Sequence, residues 1–256
     1  MGGALVCAAS GTGVGEILIA CSTPVSTETR ARELGVLPSD AREVAKTCRV
    51  IFLGVKPYAI VPVLSSVTDE LSARQDKPLL ISMAAGVPLA AIAEALPGEF
   101  PIIRMMPNTP VTVGQGMTAY TCSPSVSDEE RNLFLRIMEK TGTLDEVPEG
   151  MMDAVGALSG SGPAFVYMFM NALADAGVAC GMPRSRALLY AEQTVLGSAA
   201  YAMESGEHLM QMKDAVCSPG GTTIEGVRTL DNHAFSGTVA EAVIAAYRKT
   251  KDLARH

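Results

Sequence analysis

Val50-Ile51-Phe52-Leu53-Gly54-Val55 is an unbroken apolar run that closes on Lys56-Pro57. A continuous apolar run with a turn signal after it predicts a strand buried on both faces, as in a parallel sheet. Leu79-Leu80-Ile81-Ser82-Met83 repeats the pattern and closes on Ala84-Ala85-Gly86. A helical pattern over 60–73 separates the two. Strand, helix, strand at this spacing predicts a doubly wound α/β domain. Working outward, further strands are predicted over 17–21, 102–105 and 117–121, and helices over 27–34, 39–47, 89–96 and 128–140. Ser39-Asp40 and Ser127-Asp128 supply N-caps.

The character changes near Pro148, after which no strand pattern is found. Helices are predicted over 151–177, 183–204, 207–216, 223–230 and 235–254. The chain therefore divides into a Rossmann-type NAD(P)-binding domain, 1–148, and an all-helical dimerisation and substrate-binding domain, 149–256. Residues 164–174 (AFVYMFMNALA) are apolar almost all round, and such a helix must be buried on every side. A helical domain of this size has little core of its own, so a partner subunit is expected to cover it.

Composition narrows the classes. The chain has 256 residues, 48% hydrophobic and 18% charged, which excludes disorder as the main state. No run reaches the roughly 18 uninterrupted apolar residues of a membrane span; the longest candidate, 79–93, is interrupted by Ser82, Gly86 and Pro88. A net charge of −7, scattered Lys and Arg and the absence of Trp argue against a nucleic-acid surface. The six cysteines include no CxxC, the closest pair being Cys7 and Cys21, so no metal site is expected. The N-terminus lacks a basic region, and position 6 is Val where a myristoylation signal has Ser or Thr, so the cytoplasm is the expected location.

Gly11-Thr12-Gly13-Val14-Gly15-Glu16 mimics a dinucleotide fingerprint, but Glu16 stands in place of its third Gly and a strand follows instead of preceding it. It predicts a helix-to-strand turn. Met1-Gly2-Gly3-Ala4-Leu5 opens a helix with small residues where the third Gly of a Rossmann motif sits. The strand and glycines that should come first are absent, so the first strand and the pyrophosphate turn are expected to be missing. The alternative is an ordinary Gly-rich helix in a smaller sheet. Ser22-Thr23 stand where an NAD-preferring site carries an acid on the ribose; with Arg30 and Arg32 following, they suit a 2′-phosphate, hence NADP over NAD. Gly54-Val55-Lys56-Pro57 and Met83-Ala84-Ala85-Gly86 end strands, where open α/β sheets bind ligands. The second has no bulky side chain after Met83, which suits a flat nicotinamide ring. Ser218-Pro219-Gly220-Gly221-Thr222-Thr223 leads into a helix, and its hydroxyls and N–H groups make a cradle for a carboxylate. Ser159-Gly160-Ser161-Gly162-Pro163-Ala164 is a second flexible polar stretch, a helix kink or a pocket wall. His208 and His233 sit in polar, turn-like contexts and His256 is the last residue, so none of them is assigned to catalysis.

Together these segments resemble pyrroline-5-carboxylate reductase, the NAD(P)H enzyme family that makes proline. The resemblance runs from Met1 to about Leu253. It rests on Val55-Lys56-Pro57, on residues 82–86 (SMAAG), on 106–110 (MPNTP) with Gly116-Met117-Thr118, on 157–163 (ALSGSGP), 172–177 (ALADAG) and 193–197 (QTVLG), and above all on 211–224 (QMKDAVCSPGGTTI). The resemblance implies a Rossmann domain and a helical domain interlocked in a homodimer, with dimers in many members building a decamer. It implies hydride transfer from NADPH, or NADH, to the imine carbon of 1-pyrroline-5-carboxylate. Carried over by motif, Gly2, Ser22, Thr23, Gly54, Val55, Lys56, Pro57, Met83, Ala84 and Ala85 would line the cofactor. Ser218, Gly221, Thr222 and Thr223 would hold the substrate carboxylate. Thr223 would also hydrogen-bond the ring nitrogen, and Glu149 would favour the iminium charge. The imine can be protonated before hydride arrives, so no histidine is required. Two departures stand out: the chain starts at the Met-Gly of the family's Gly-x-Gly-x-Met-Gly, and Ala41 stands where many relatives have Asn.

Two other readings compete. A β-hydroxyacid dehydrogenase-like enzyme would need a Lys on its long second-domain helix, and residues 159–179 contain none. A non-catalytic oligomeric relative that has lost its cofactor site fits the absent first strand, but not the complete 218–223 cradle.

Overall fold

The computed structural model describes residues 1–13 and 15–253; Val14 and His256 lie outside the described residues. The first elements are α1 (Gly2–Ser10), β1 (Leu18–Ile19), α2 (Pro24–Leu34), β2 (Leu37–Pro38) and α3 (Ala41–Thr47). Next come β3 (Val50–Leu53), α4 (Ile60–Ser66), α5 (Thr68–Ala73), β4 (Leu79–Ser82), α6 (Leu89–Glu94) and β5 (Ile102–Pro107). Then follow β6 (Gly116–Cys122), α7 (Asp128–Met138), β7 (Gly142–Glu146) and α8 (Met152–Val155). The remainder is helical: α9 (Gly162–Ala179), α10 (Arg184–Ser205), α11 (Leu209–Val216), α12 (Thr222–Asn232) and α13 (Phe235–Leu253).

β3, β4 and β5 pair in parallel, with Leu53 opposite Ser82 and Ser82 opposite Arg104. Every residue of β4 and β5 is buried, as expected for runs that are apolar but for Ser82 and Arg104. Leu80 and Ile102 face a core shared with α4, α5 and α6, while Leu79, Ile81, Ile103 and Met105 face one shared with α1 and α7. The sheet is thus covered on both sides. β1 and β2 form a separate parallel pair. The strand that would join this pair to the five-stranded sheet is not among the described residues.

The sheet departs from the all-parallel expectation at one place: β6 joins β5 antiparallel, with Met105 opposite Tyr120. The connection, a tight helical turn over Thr109–Val113, is too short for a crossover, which needs about a dozen residues or more. β7 then pairs with β6 in parallel. Neither β7 nor the two-residue β2 was predicted. β7 carries one large aliphatic residue, Leu144, and most of its positions are exposed, so it offers no hydrophobic pattern. The helix expected over 60–73 is two helices, broken at Val67. Two caps act as predicted: Asp40 accepts from the Glu43 N–H at 2.9 Å, and Ser127 forms a reciprocal capping box with Glu130. Residues 11–13 form a turn, not the start of a helix on a phosphate loop.

The chain forms two compact units: Met1–Ser161 with the chain from Ala246 onward, and Gly162–Ala245. Strand content ends at β7, just before the 148/149 division read from sequence. The stretch after it nevertheless stays with the sheet, because Met152 and Val155 pack on Met106, Ala119 and Val147. In the second unit α9 and α10 meet through Ala174, Ala187 and Ala191. Small residues allow close approach but bury little area. Of α9 only Ala174 is buried, and Met168 is 73% exposed. The burial that residues 164–174 demand is therefore not supplied within one chain. Among the described residues, no helix is long and apolar enough to cross a membrane.

Tyr120 and Cys122 on β6 give the first unit a pH-dependent property. Burial first, and then the Glu146 carboxylate, raise the Cys122 thiol from 9.0 to about 11 and the Tyr120 phenol from 10.0 to about 12. The folded chain keeps both protons where the unfolded chain has released them. Their stabilisation is complete below pH 9 and is lost as pH climbs through 11 and 12. Thermal midpoints should therefore fall less steeply from pH 9 to pH 11 in Cys122→Ser than in the parent. Equal slopes would refute this assignment.

Candidate active site

In the first unit the carboxyl ends of β3 and β4 lie side by side, because Leu53 and Ser82 are register partners. Gly54 follows one and Met83 the other. A methyl group placed on Gly54 would meet only the flexible end of Met83, at 3.9 Å. Lys56 leads into the tight turn Pro57–Ala59. On the β4 side the buried Ser82 hydroxyl accepts from the Ala84 N–H at 3.3 Å, which sets the start of the loop. Ala84 is buried and Ala85 exposed. Two adjacent strand ends with exposed Gly54 and Ala85 offer flat, unobstructed backbone, and these residues fit a nicotinamide ring.

The adenosine side is represented by three features. Thr23 caps α2, accepting from the Ser26 N–H at 3.2 Å, while the Ser26 hydroxyl accepts from the Thr23 N–H at 3.3 Å. Sequence reading missed Ser26, because a capping box usually carries Glu or Gln at that place. Ser22, just before the cap, is exposed at a helix N-terminus, which favours an anion. Arg30 pairs with Glu33 at 2.8 Å. Gly2 opens α1, whose first turn has no side-chain cap, and space around Gly2 is open. That exposed N-terminus suits a phosphate.

A charged cluster links β5 to the start of α6, which follows the 83–88 loop. Arg104 projects from β5 with its side chain only 4% exposed. Its Nη1 donates to Glu149 Oε1 at 3.3 Å and its Nη2 to Asp153 Oδ1 at 3.0 Å. Lys251 Nζ lies 3.2 Å from Asp153 Oδ2, and that bond raises the Lys251 ammonium above its usual range. Glu149 Oε1 also accepts from the Leu89 N–H at 2.7 Å. Glu149 was singled out in sequence; Arg104 and Asp153 were not. The available clue was a lone charge inside the apolar run IIRMMP. Next to it, Asn108 accepts from the Met117 N–H at 2.9 Å and donates to the Ser159 carbonyl at 3.1 Å. Ser159 belongs to a π-helical turn, Gly156–Gly160, so the stretch read as a kink or pocket wall is a widened helical turn tied to the β5–β6 connection.

The second unit holds the Ser218–Thr223 cradle. The Gly221 N–H donates to the Ser218 carbonyl at 3.0 Å, closing a turn with Pro219 and Gly220 at its centre. Gly220 has φ +66°, which a side chain disfavours. Gly221 is the N-cap of α12 and has no side chain to cap it; a methyl there would sit 2.3 Å from Ser218 Oγ. The first N–H groups of α12 are thus left open beside the exposed Ser218, Thr222 and Thr223. Backbone donors, hydroxyls and the helix dipole together suit such a site to a carboxylate. His208 caps α11, accepting from the Met210 N–H at 3.3 Å, and His233 ends α12. Both sit at helix ends. Among the described residues no group of His, Cys, Asp and Glu is arranged to hold a metal ion.

Comparison with known proteins identifies the family of the chain. Residues 149–253 match the family model for pyrroline-5-carboxylate reductase dimerisation, and residues 1–86 match that for NADP oxidoreductase, coenzyme F420-dependent. The pyrroline-5-carboxylate reductase of Synechocystis sp. is 45% identical over 84% of this chain and 79% of its own length. That of Escherichia coli is 41% identical over 94% of this chain and 89% of its own length. The crystal structure of Plasmodium falciparum pyrroline carboxylate reductase with NADP bound superposes with a TM-score of 0.88, at 31% identity, covering 99% of this chain and 94% of that one.

Proposed function

The chain belongs to the pyrroline-5-carboxylate reductase family, and from that membership we propose how its own residues divide the work. The reaction is reduction of the C=N bond of 1-pyrroline-5-carboxylate to give L-proline, in proline biosynthesis, with a nicotinamide cofactor. When bound, the reduced cofactor supplies the hydride. Gly54, Val55, Lys56, Pro57, Met83, Ala84 and Ala85 form the surface that receives the nicotinamide end. Ser218, Gly221, Thr222 and Thr223 hold the substrate carboxylate, and the Thr223 hydroxyl hydrogen-bonds the ring nitrogen. Because the imine accepts its proton before reduction, the protein's task is positioning and charge placement. The uncapped N-terminus of α12 behind the 218–221 turn is the observation that carries this reading.

The preferred cofactor is NADPH. Support comes from Ser22 at the start of α2 and from the lack of an acid there; Arg30, engaged with Glu33, contributes less than the sequence suggests. Oxidation of NADPH by pyrroline-5-carboxylate, run beside NADH, tests activity and preference together. In Ser22→Asp the new carboxylate would repel a 2′-phosphate and accept from ribose hydroxyls, so preference should swing toward NADH by about tenfold or more. An unchanged ratio would remove Ser22 from the site. A folded protein silent with both cofactors would favour the non-catalytic reading.

Oligomerisation follows from the family's dimerisation domain. The exposed apolar residues of the second unit, among them Tyr167, Met168, Leu189, Leu196 and Tyr201, fit burial against a second copy. We infer a homodimer as the minimum assembly. Mass measurement in solution distinguishes it from the decamer.

A further inference from the structure

We propose that Arg104, acting through Glu149, sets the backbone of the 83–88 loop, making both of them positioning residues for the cofactor. The proposal rests on the reading that Met83, Ala84 and Ala85 receive the nicotinamide.

The loop is held at its two ends by different devices. Upstream, the Ser82 hydroxyl fixes the Ala84 N–H. Downstream, the loop enters α6 at Pro88, whose ring cannot cap the exposed N–H groups of a helix start. Glu149, sixty positions later in the chain, takes that role: its Oε1 accepts from the Leu89 N–H at 2.7 Å. A carboxylate there also meets the positive end of the helix. Sequence separation explains why the cap is invisible in the local pattern.

Arg104 keeps that carboxylate in place. A buried guanidinium is tolerated only when paired, and this one bridges Glu149 and Asp153 from within the sheet. Asp153 in turn takes Lys251, so two cations and two anions alternate across β5, the 149–153 stretch and the end of α13. Arg104 sits on β5, which is paired directly with β4, the strand that delivers the loop. The arrangement fixes Glu149 relative to the same sheet that carries Met83. A shift of about 1 Å in such a loop is enough to cost two orders of magnitude in a reaction that depends on alignment.

The test measures NADPH affinity by the fluorescence of the cofactor itself, with thermal midpoints recorded in parallel. Glu149→Ala should raise the NADPH Kd about tenfold, the worth of one charge-assisted hydrogen bond. Glu149→Gln, whose amide oxygen still accepts from Leu89, should recover it to within about threefold of the parent. Arg104→Met should resemble Glu149→Ala where it folds; the Glu149 pair decides the matter where it does not. Ala85→Leu crowds the loop directly and reports on the underlying reading. Weaker NADPH binding in Ala85→Leu with unchanged Kd in Glu149→Ala would overturn the positioning role alone, as would equal losses in the Ala and Gln variants. Unchanged Kd in Ala85→Leu would remove the loop from the cofactor site and the proposal with it. A lowered melting point without a change in Kd would reduce the cluster to a fold-stabilising one.

Discussion

Thr223→Ala is expected to lower kcat for pyrroline-5-carboxylate reduction by about 10- to 1000-fold, on the scale of one lost transition-state hydrogen bond. The loss should fall on kcat more than on substrate affinity. The substrate carboxylate would still meet the N–H groups of the first turn of α12, which belong to the backbone and survive the substitution. What disappears is the hydroxyl assigned to the ring nitrogen, where charge changes as the C=N bond is reduced. The fold should tolerate the change: Thr223 is exposed near the start of an eleven-residue helix, and Ala is the better helix former. Thr223→Ser, which keeps the hydroxyl, should restore most of the rate. A full-speed Thr223→Ala enzyme, assayed at saturating substrate, would sink the assignment.

Gly142→Ala should be the most damaging single methyl group in the first unit. Gly142 has φ +121° and opens β7 as the register partner of Gly116. A Cβ there would stand 2.2 Å from the Gly116 carbonyl oxygen and 2.5 Å from its nitrogen. Both are backbone atoms, so no rotamer relieves the overlap. Gly116 is itself tightly enclosed, with Val111 and the Thr141 carbonyl so near that it could carry no Cβ either. Strain and lost β6–β7 pairing together should cost about 4 kcal/mol or more, a large share of the roughly 5–15 kcal/mol that holds a typical domain together. Gly150→Ala is the control: open space surrounds it and its φ is ordinary, so it should stay within about 0.5 kcal/mol of the parent. Denaturant titration that finds Gly142→Ala as stable as the control would refute the argument.

Legibility in the sequence followed burial and locality. β3 and β4 were readable because both their faces are covered, which forces an unbroken apolar run. β7 was not, because its exposed positions place no demand on hydrophobicity. The antiparallel turn into β6 depends on the length and shape of the connection around Asn108, which no periodicity reports. The Ser218–Thr223 cradle was legible because its turn, its glycines and its helix start are consecutive. The Arg104 cluster was not, since its partners lie 45 and 49 positions away. Thr23 and Ser26 fall between: they are local, but their capping box uses a hydroxyl in place of a carboxylate.

The bare apolar faces of α9 and α10 change what stability means for this protein. A chain that completes its burial only on a second copy folds under the law of mass action, so dilution acts on it as a mild denaturant. Its midpoint of unfolding belongs to a stated concentration and not to the sequence alone. A newly made chain must also meet its equal before those surfaces are covered, which ties its safety from aggregation to the rate at which copies are produced.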